Sequence, residues 1–332
     1  MKKIISIFAG LALSAALLWI AFRNSDLRAI AAVLAGVKAA PLALVLLTVA
    51  GELAVRGLKW SLLLAPARKV RAWDALRLET AALALNNLLP LRLGDLARAA
   101  YGAEIFNLHI STVLATILAE KALDLAALFT LAASAAVLGG LAFSLPGWRL
   151  ALALAAALAL ILLSLFYLAG RSPKLKGTTQ DLVLGFKVLG SPAAAAGVFA
   201  LALLQWLLNA LNYYWLALAF GLGPAASLTR SVLLSFTGAA ASSAPGMPGY
   251  FGNFELAVSA VLSAWGVPRE TALAYAAASH LLPYLLITAA GLYFTYGLGQ
   301  SLGQVWARFS GRAADMPSDM TYKSYKPYNI DI

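Results

Sequence analysis

The chain has 332 residues, 62% of them hydrophobic and 12% charged, with a formal net charge of +11. A mean hydropathy of +0.82 and recurring apolar runs of about 20 residues, the length that spans a bilayer as helix, exclude an ordinary soluble domain. Without cysteine there are no disulfides or thiolate metal sites. His109 and His280 are far apart and outside any HExxH pattern, so no zinc site is expected. No cofactor is expected either. The positive charge fits basic loops facing anionic lipid, and no basic, aromatic-interleaved soluble segment is present to bind nucleic acid.

In chain order, Met1-Lys2-Lys3 precedes an apolar run from Ile4 to Phe22. The run is longer than the ~7–15 residues of a signal-peptide core and no small-x-small site closes it, so it reads as a first transmembrane helix. Asn24 to Lys38 reads as a short interfacial helix, completing a first region of residues 1–40. A first repeat covers 41–145. Its opening span, Pro41 to Leu64, carries Glu52 and Arg56 four residues apart on one face. Glu52, nearer mid-span, is expected to face the interior. Arg56 either pairs with it or snorkels to the boundary with Lys59 and Trp60.

After the basic loop Arg68-Lys69-Val70-Arg71, the segment 73–106 contains two half-helices. Trp73 to Leu89 stops at Pro90; a break from Pro90 to Gly94 follows, and Gly94-Asp95 opens a second piece ending near Phe106. A long helix, Ile110 to Gly140, then carries Glu120, Lys121 and Asp124. Residues 146–190 hold a linking span and a basic segment with Arg171, Lys174, Lys176 and Lys187. A second repeat, 191–299, has a span ending near Phe220 and a broken segment, 227–264. Pro245, Gly246, Pro248, Gly249 and Gly252 interrupt that segment, and Asn253 opens its second half. Glu270 to Gly299 forms the last span, and 300–332 is a polar cytoplasmic tail.

If segment 73–106 crossed the membrane, its flanking basic loops would fall on opposite sides. If it dips in and returns, Lys2-Lys3, Arg68–Arg71, Arg171–Lys187 and the tail share the cytoplasmic side. The same argument applies to 227–264. The expected fold is therefore all-α, a polytopic integral membrane protein with about six spanning helices plus two re-entrant helical hairpins. Each break ends in Gly followed by Asp95 or Asn253, each is followed by a half-helix, a turn and a long span, and the hairpins enter from opposite sides. This predicts inverted repeats, as in secondary transporters, in the cell membrane with both termini cytoplasmic.

At these breaks the chain resembles the lysylphosphatidylglycerol synthase transmembrane-region family, which includes the flippase half of the multiple peptide resistance factor. The family pattern Asn-x-x-Pro-x-Arg-x-Gly-Asp-x-x-Arg is met by Asn87, Pro90, Arg92, Gly94, Asp95 and Arg98. Its Glu-Arg-x-x-Asp element is met by Glu120, Lys121 and Asp124, with Lys in place of Arg. Its Pro-Gly-Gly-x-Gly-x-x-Glu element is met loosely from Pro248 to Glu255, with Tyr250 in place of the second Gly. Arg56 to Trp60 looks like the family's Arg-x-x-Arg-Trp. The resemblance implies a lipid translocase with a membrane lipid as its substrate; homo-oligomerisation stays open. No aminoacyl-transferase domain follows the last span, so lipid aminoacylation is not expected of this polypeptide.

A charge at mid-bilayer costs about 2.5–3.5 kcal/mol on insertion scales, so these residues need partners or a wet cavity. Asp95 and Asn253 read as helix N-caps, and two half-helix N-termini aimed at mid-membrane also suit a phosphate, with Arg92 and Arg98 as donors. Glu120 falls about 16 Å along its helix, near mid-bilayer. Lys121 is expected to pair with a neighbouring helix or with Glu255, and His280 to bond across helices or relay protons. Arg98, Glu120 and Glu255 are expected to line one cavity. The competing readings are a transporter of a small soluble solute, a structural or assembly protein, and an intramembrane aspartyl enzyme using Asp95 and Asp124. The last lacks the first Gly of a Gly-x-Gly-Asp site.

Overall fold

A computed structural model describes residues 15–89, 93–139, 186–223, 227–243 and 248–297. Among these residues every regular element is helical: α1 (15–22), α2 (Leu27–Ala35), α3 (Ala39–Leu64), α4 (Ala72–Leu88), α5 (Leu93–Phe106), α6 (Ile110–Leu138), α7 (Pro192–Ala219), α8 (Leu228–Ser242), α9 (Asn253–Ala264) and α10 (Arg269–Gly297). Four apolar stretches, Ala39–Leu64, Ile110–Leu138, Pro192–Ala219 and Arg269–Tyr296, are long enough to cross a membrane. At about 1.5 Å per residue they reach roughly 40 Å, against a hydrocarbon core of about 30 Å. The chain is a helical membrane protein. The expected span at Trp148–Ala169, most of the first span, the polar tail, and the break residues Pro90, Arg92, Pro245 and Gly246 lie outside the described residues.

Local chemistry sets several helix starts. The Asp26 carboxylate caps α2, accepting from the Arg28 and Ala29 N–H groups at 2.8 and 3.3 Å. This shortens the expected interfacial helix to Leu27–Ala35, whose Ile30 packs with Ala21, Leu273 and Ala274 against the start of α10. Ser191 caps α7 with Pro192 in its first turn, and Ser227 caps α8.

The helices form two units of four, each running long, short, short, long: α3 to α6 and α7 to α10. Within the first, α4 and α5 are antiparallel. Asn86 faces Asp95, Glu79 faces Arg98, and Leu78 faces Gly102. Gly94 is not part of a backbone break but lies inside α5, where a Cβ would overlap the Ala82 carbonyl, so only glycine allows this approach. Within the second unit, α8 and α9 are likewise antiparallel: Gly238 faces Phe254, and Arg230 stacks on Trp265 at 5.2 Å. Here the break is real. Gly249 (φ 70°) and Gly252 (φ 93°) occupy the left-handed region around a short turn, Pro248–Tyr250.

The units meet chiefly along α3 and α7, which are antiparallel. The Lys38 N–H donates to the Ala219 carbonyl at one end, Thr48 pairs with Asn212 midway, and Lys59 reaches Gln205 towards the other end. The contact is reciprocal. Glu52 and Gln205 hold the same position counted from the starts of α3 and α7, and so do Lys59 and Asn212; Lys59 contacts Gln205 while Asn212 contacts Glu52. The flanking contacts repeat the theme. α4 runs antiparallel to α10, with Trp73 on Phe294 and Asn87 beside Tyr284, and α6 runs antiparallel to α8, with Phe129 on Phe236 and Ala135 near Val232. Two apolar clusters result, one around Trp60, Leu78, Phe106 and Val113, the other around Val45, Tyr213, Leu234 and Val258.

Candidate functional site

The first unit gathers seven charged side chains into its interior. Arg56 Nη2 lies 2.9 Å from Glu52 Oε1 on the same face of α3. One turn on, Lys59 Nζ contacts Asp124 of α6 directly and donates to Gln205 Oε1 of α7 at 2.5 Å. Arg98 of α5 lies 2.5 Å from Glu120 of α6, and its guanidinium stacks 3.8 Å over the Trp60 ring. Glu79 of α4 sits 3.5 Å from Arg98 and 3.7 Å from Arg56. Lys59 and Glu120 are 0% exposed, Arg98 2% and Glu79 3%. Charges this deep persist only when partnered, because the desolvation cost is several kcal/mol per ion.

Glu52 and Arg56 pair, and several other placements differ from the expected ones. Glu52, Arg56, Arg98, Glu120 and Asp124 converge in one network. Lys59 and Trp60 do not snorkel: both are fully buried, since α3 is covered at this level by α6 and α7. Lys121 takes the neighbouring-helix alternative, pairing with Asp95 of α5 at 3.6 Å, half-exposed and outside the network, and not with Glu255. Asp95 is not an N-cap. It lies in the first turn of α5 and accepts from Asn86 at 3.2 Å. Asn253 is the first residue of α9, preceded by Gly252 as its cap residue.

Glu255 performs the capping instead. Its carboxylate accepts the Gly252 N–H at 2.6 Å, and its other oxygen lies 2.6 Å from His280 Nδ1 on α10. The His280 ring is stacked on Phe254 at 4.4 Å and tilted against Phe251 at 4.9 Å. Glu255 and His280 thus make a second polar centre, apart from the network holding Arg98 and Glu120.

Between the two centres is a cavity of about 210 Å³. One wall carries Asn209 and Asn212, which donate to Glu52 Oε2 at 3.1 and 3.5 Å. The other carries His280, Tyr284 and Asn87, the last at the tip of the first hairpin. Trp206, Tyr213 and Tyr250 add aromatic surface. Arg98, Glu120 and Glu255 do not line it. Pro283, also in the lining, has no N–H, so the Ser279 carbonyl beside it loses its helical donor.

Glu79, Gln205, Asn209 and Asn212 escaped the sequence reading. The available signal was of the same kind as for Glu52: a carboxylate well inside an apolar half-helix, and three amides spaced three to four residues apart along an apolar span.

Helix lengths and an interior ion network define a helical membrane protein with a charged centre enclosed by packed helices. The family described as Lysylphosphatidylglycerol synthase TM region matches residues 7–291, and the chain belongs to that family. A relative described as a UPF0104 membrane protein, from Methanothermobacter thermautotrophicus, is 26% identical over 284 residues, covering 76% of this chain and 82% of the relative. No solved structure matches.

Proposed function

We propose that this protein translocates a polar lipid headgroup across the cell membrane, with α3–α6 and α7–α10 as inverted repeats and α4–α5 and α8–α9 as re-entrant hairpins. The observation that carries the reading is the placement of the cavity. It lies between α7, α8 and α10, with the amides that hold Glu52 on one side and the His280–Tyr284–Asn87 wall on the other. Hairpin tips and paired long helices around a mid-bilayer polar centre are the architecture in which one repeat rocks against the other. Amides, hydroxyls and an imidazole offer donors and acceptors to a headgroup, while acyl chains stay in the bilayer. The role is transport, without covalent chemistry on the lipid. Regions 1–40, 41–145, 146–190, 191–299 and 300–332 serve as anchor, first repeat, linker, second repeat and cytoplasmic tail.

The test is reconstitution into liposomes carrying fluorescent lipids with anionic, zwitterionic and cationic headgroups, scored by quencher accessibility. Protein-dependent equilibration of at least one headgroup is expected. Filling the cavity with Ala239→Trp should slow it by about tenfold or more, equivalent to roughly 1.4 kcal/mol on the barrier. Equilibration of no headgroup, in vesicles that contain folded protein, removes the translocase reading.

A further inference from the structure

The buried network does not balance. Among the described residues it holds four carboxylates, Glu52, Glu79, Glu120 and Asp124, against three cations, Arg56, Lys59 and Arg98. The pairing assigns each cation to one acid. Arg56 takes Glu52 through two N–H donors at 2.9 and 3.1 Å, Arg98 takes Glu120 at 2.5 Å, and Lys59 takes Asp124 by direct contact. Glu79 is left over. Its contacts are guanidiniums already engaged, at 3.5 and 3.7 Å.

From α3 it faces Arg56 and Lys59, from α5 Arg98, and from α6 the repelling Glu120. From α10, on another side of α4, come Gly291 against Thr80 and no charge. An ionised carboxylate at 3% exposure without a partner of its own is the least tenable charge among the described residues. A neutral carboxyl at Glu79 makes the network three against three.

We infer that Glu79 binds a proton in this conformation and is the proton site of the protein. The geometry supplies an exchange route by pairing. A movement of the hairpin that carries Arg98 from Glu120 to Glu79 gives Glu79 a full partner and leaves Glu120 as the excess acid, so the proton passes to Glu120 and is released when the same movement opens that acid to water. Movement back re-forms the Arg98–Glu120 pair and recovers a proton. Resting on the translocase reading, this makes a proton the coupling ion for headgroup movement.

Infrared spectroscopy of the full chain in lipid tests occupancy without any transport. At neutral pH a protonated-carboxyl C=O stretch is expected in the parent protein and absent from Glu79→Gln. Gln matches the neutral acid in shape, so Glu79→Gln should also fold with a melting temperature close to the parent. A parent without the band, a band that persists in Glu79→Gln, or a Glu79→Gln protein that fails to fold each overturns the inference. Coupling is read separately in proteoliposomes. A proton gradient should change the parent's lipid translocation rate, and the ratio of rates with and without the gradient should fall to about one in Glu79→Gln, the value for no differential driving force. A parent rate indifferent to the gradient overturns the coupling. A parent that moves no lipid overturns the translocase reading while the infrared result stands.

Discussion

The Tyr284 hydroxyl donates to the Asn87 carbonyl at 3.2 Å, and the Asn87 amide donates to Thr288 Oγ1 at 2.9 Å. These bonds tie the tip of the first hairpin to α10 of the second unit, beside the cavity. Tyr284→Phe removes one bond and should cost about 1 kcal/mol, whereas Asn87→Ala removes the amide donor to Thr288 and opens space at the tip, costing more. Thermal melts in detergent read the order. Equal, parental melting of both variants would mean that the tip is not held by these contacts.

The ion network predicts an asymmetry between the two members of its closest pair. Arg98→Gln takes the 2.5 Å partner from Glu120 and leaves it only Lys59 at 3.7 Å, whereas Glu120→Gln leaves Arg98 beside Glu79 at 3.5 Å. Breaking a buried pair costs about 3–5 kcal/mol, and Arg98→Gln should lie at the upper end with Glu120→Gln below it. Denaturation of the two single variants and the double variant gives the coupling. Equal single costs would contradict the placement of Glu79.

Two glycines predict opposite signs. At Gly291 a Cβ would overlap the Thr80 carbonyl where α10 crosses α4, and Gly291→Ala should destabilise by about 1–3 kcal/mol. At Gly197, inside α7, a Cβ meets nothing within 4 Å. Gly197→Ala should stabilise by about 0.5–1 kcal/mol through the unfolded chain. A Gly291→Ala protein that melts at or above the parent would contradict the α4–α10 crossing.

The antiparallel pairings put Lys69, His109 and Lys187 at one end of the bundle, and Lys38, Arg230 and Arg269 at the other. In this cysteine-free chain, cysteines at His109 and Lys187 should react only with reagent on the cytoplasmic side, and one at Arg269 only with reagent outside. Labelling of His109→Cys and Arg269→Cys from the same side would refute the hairpin topology.

Chain composition and the spacing of breaks determined the class, the ends of the long helices and the half-helices on either side of Pro90 and Gly252, because hydropathy, helix length and Pro/Gly chemistry are local properties. The charged residues that must be satisfied inside were equally legible, since Glu52, Arg98, Glu120 and Asp124 stand out in apolar helix. Which charge meets which was not. Lys59 reaches Asp124 and Gln205, and Lys121 reaches Asp95, only because α3 is packed between α6 and α7 while the Lys121 side of α6 faces outward. Glu255 looked like a cavity residue and instead holds Gly252 and His280, a choice made by the left-handed turn ahead of α9. The excess carboxylate at Glu79 belongs wholly to tertiary structure: charge balance in a low-dielectric interior is a property of the enclosed set, and only helix packing decides which side chains it encloses.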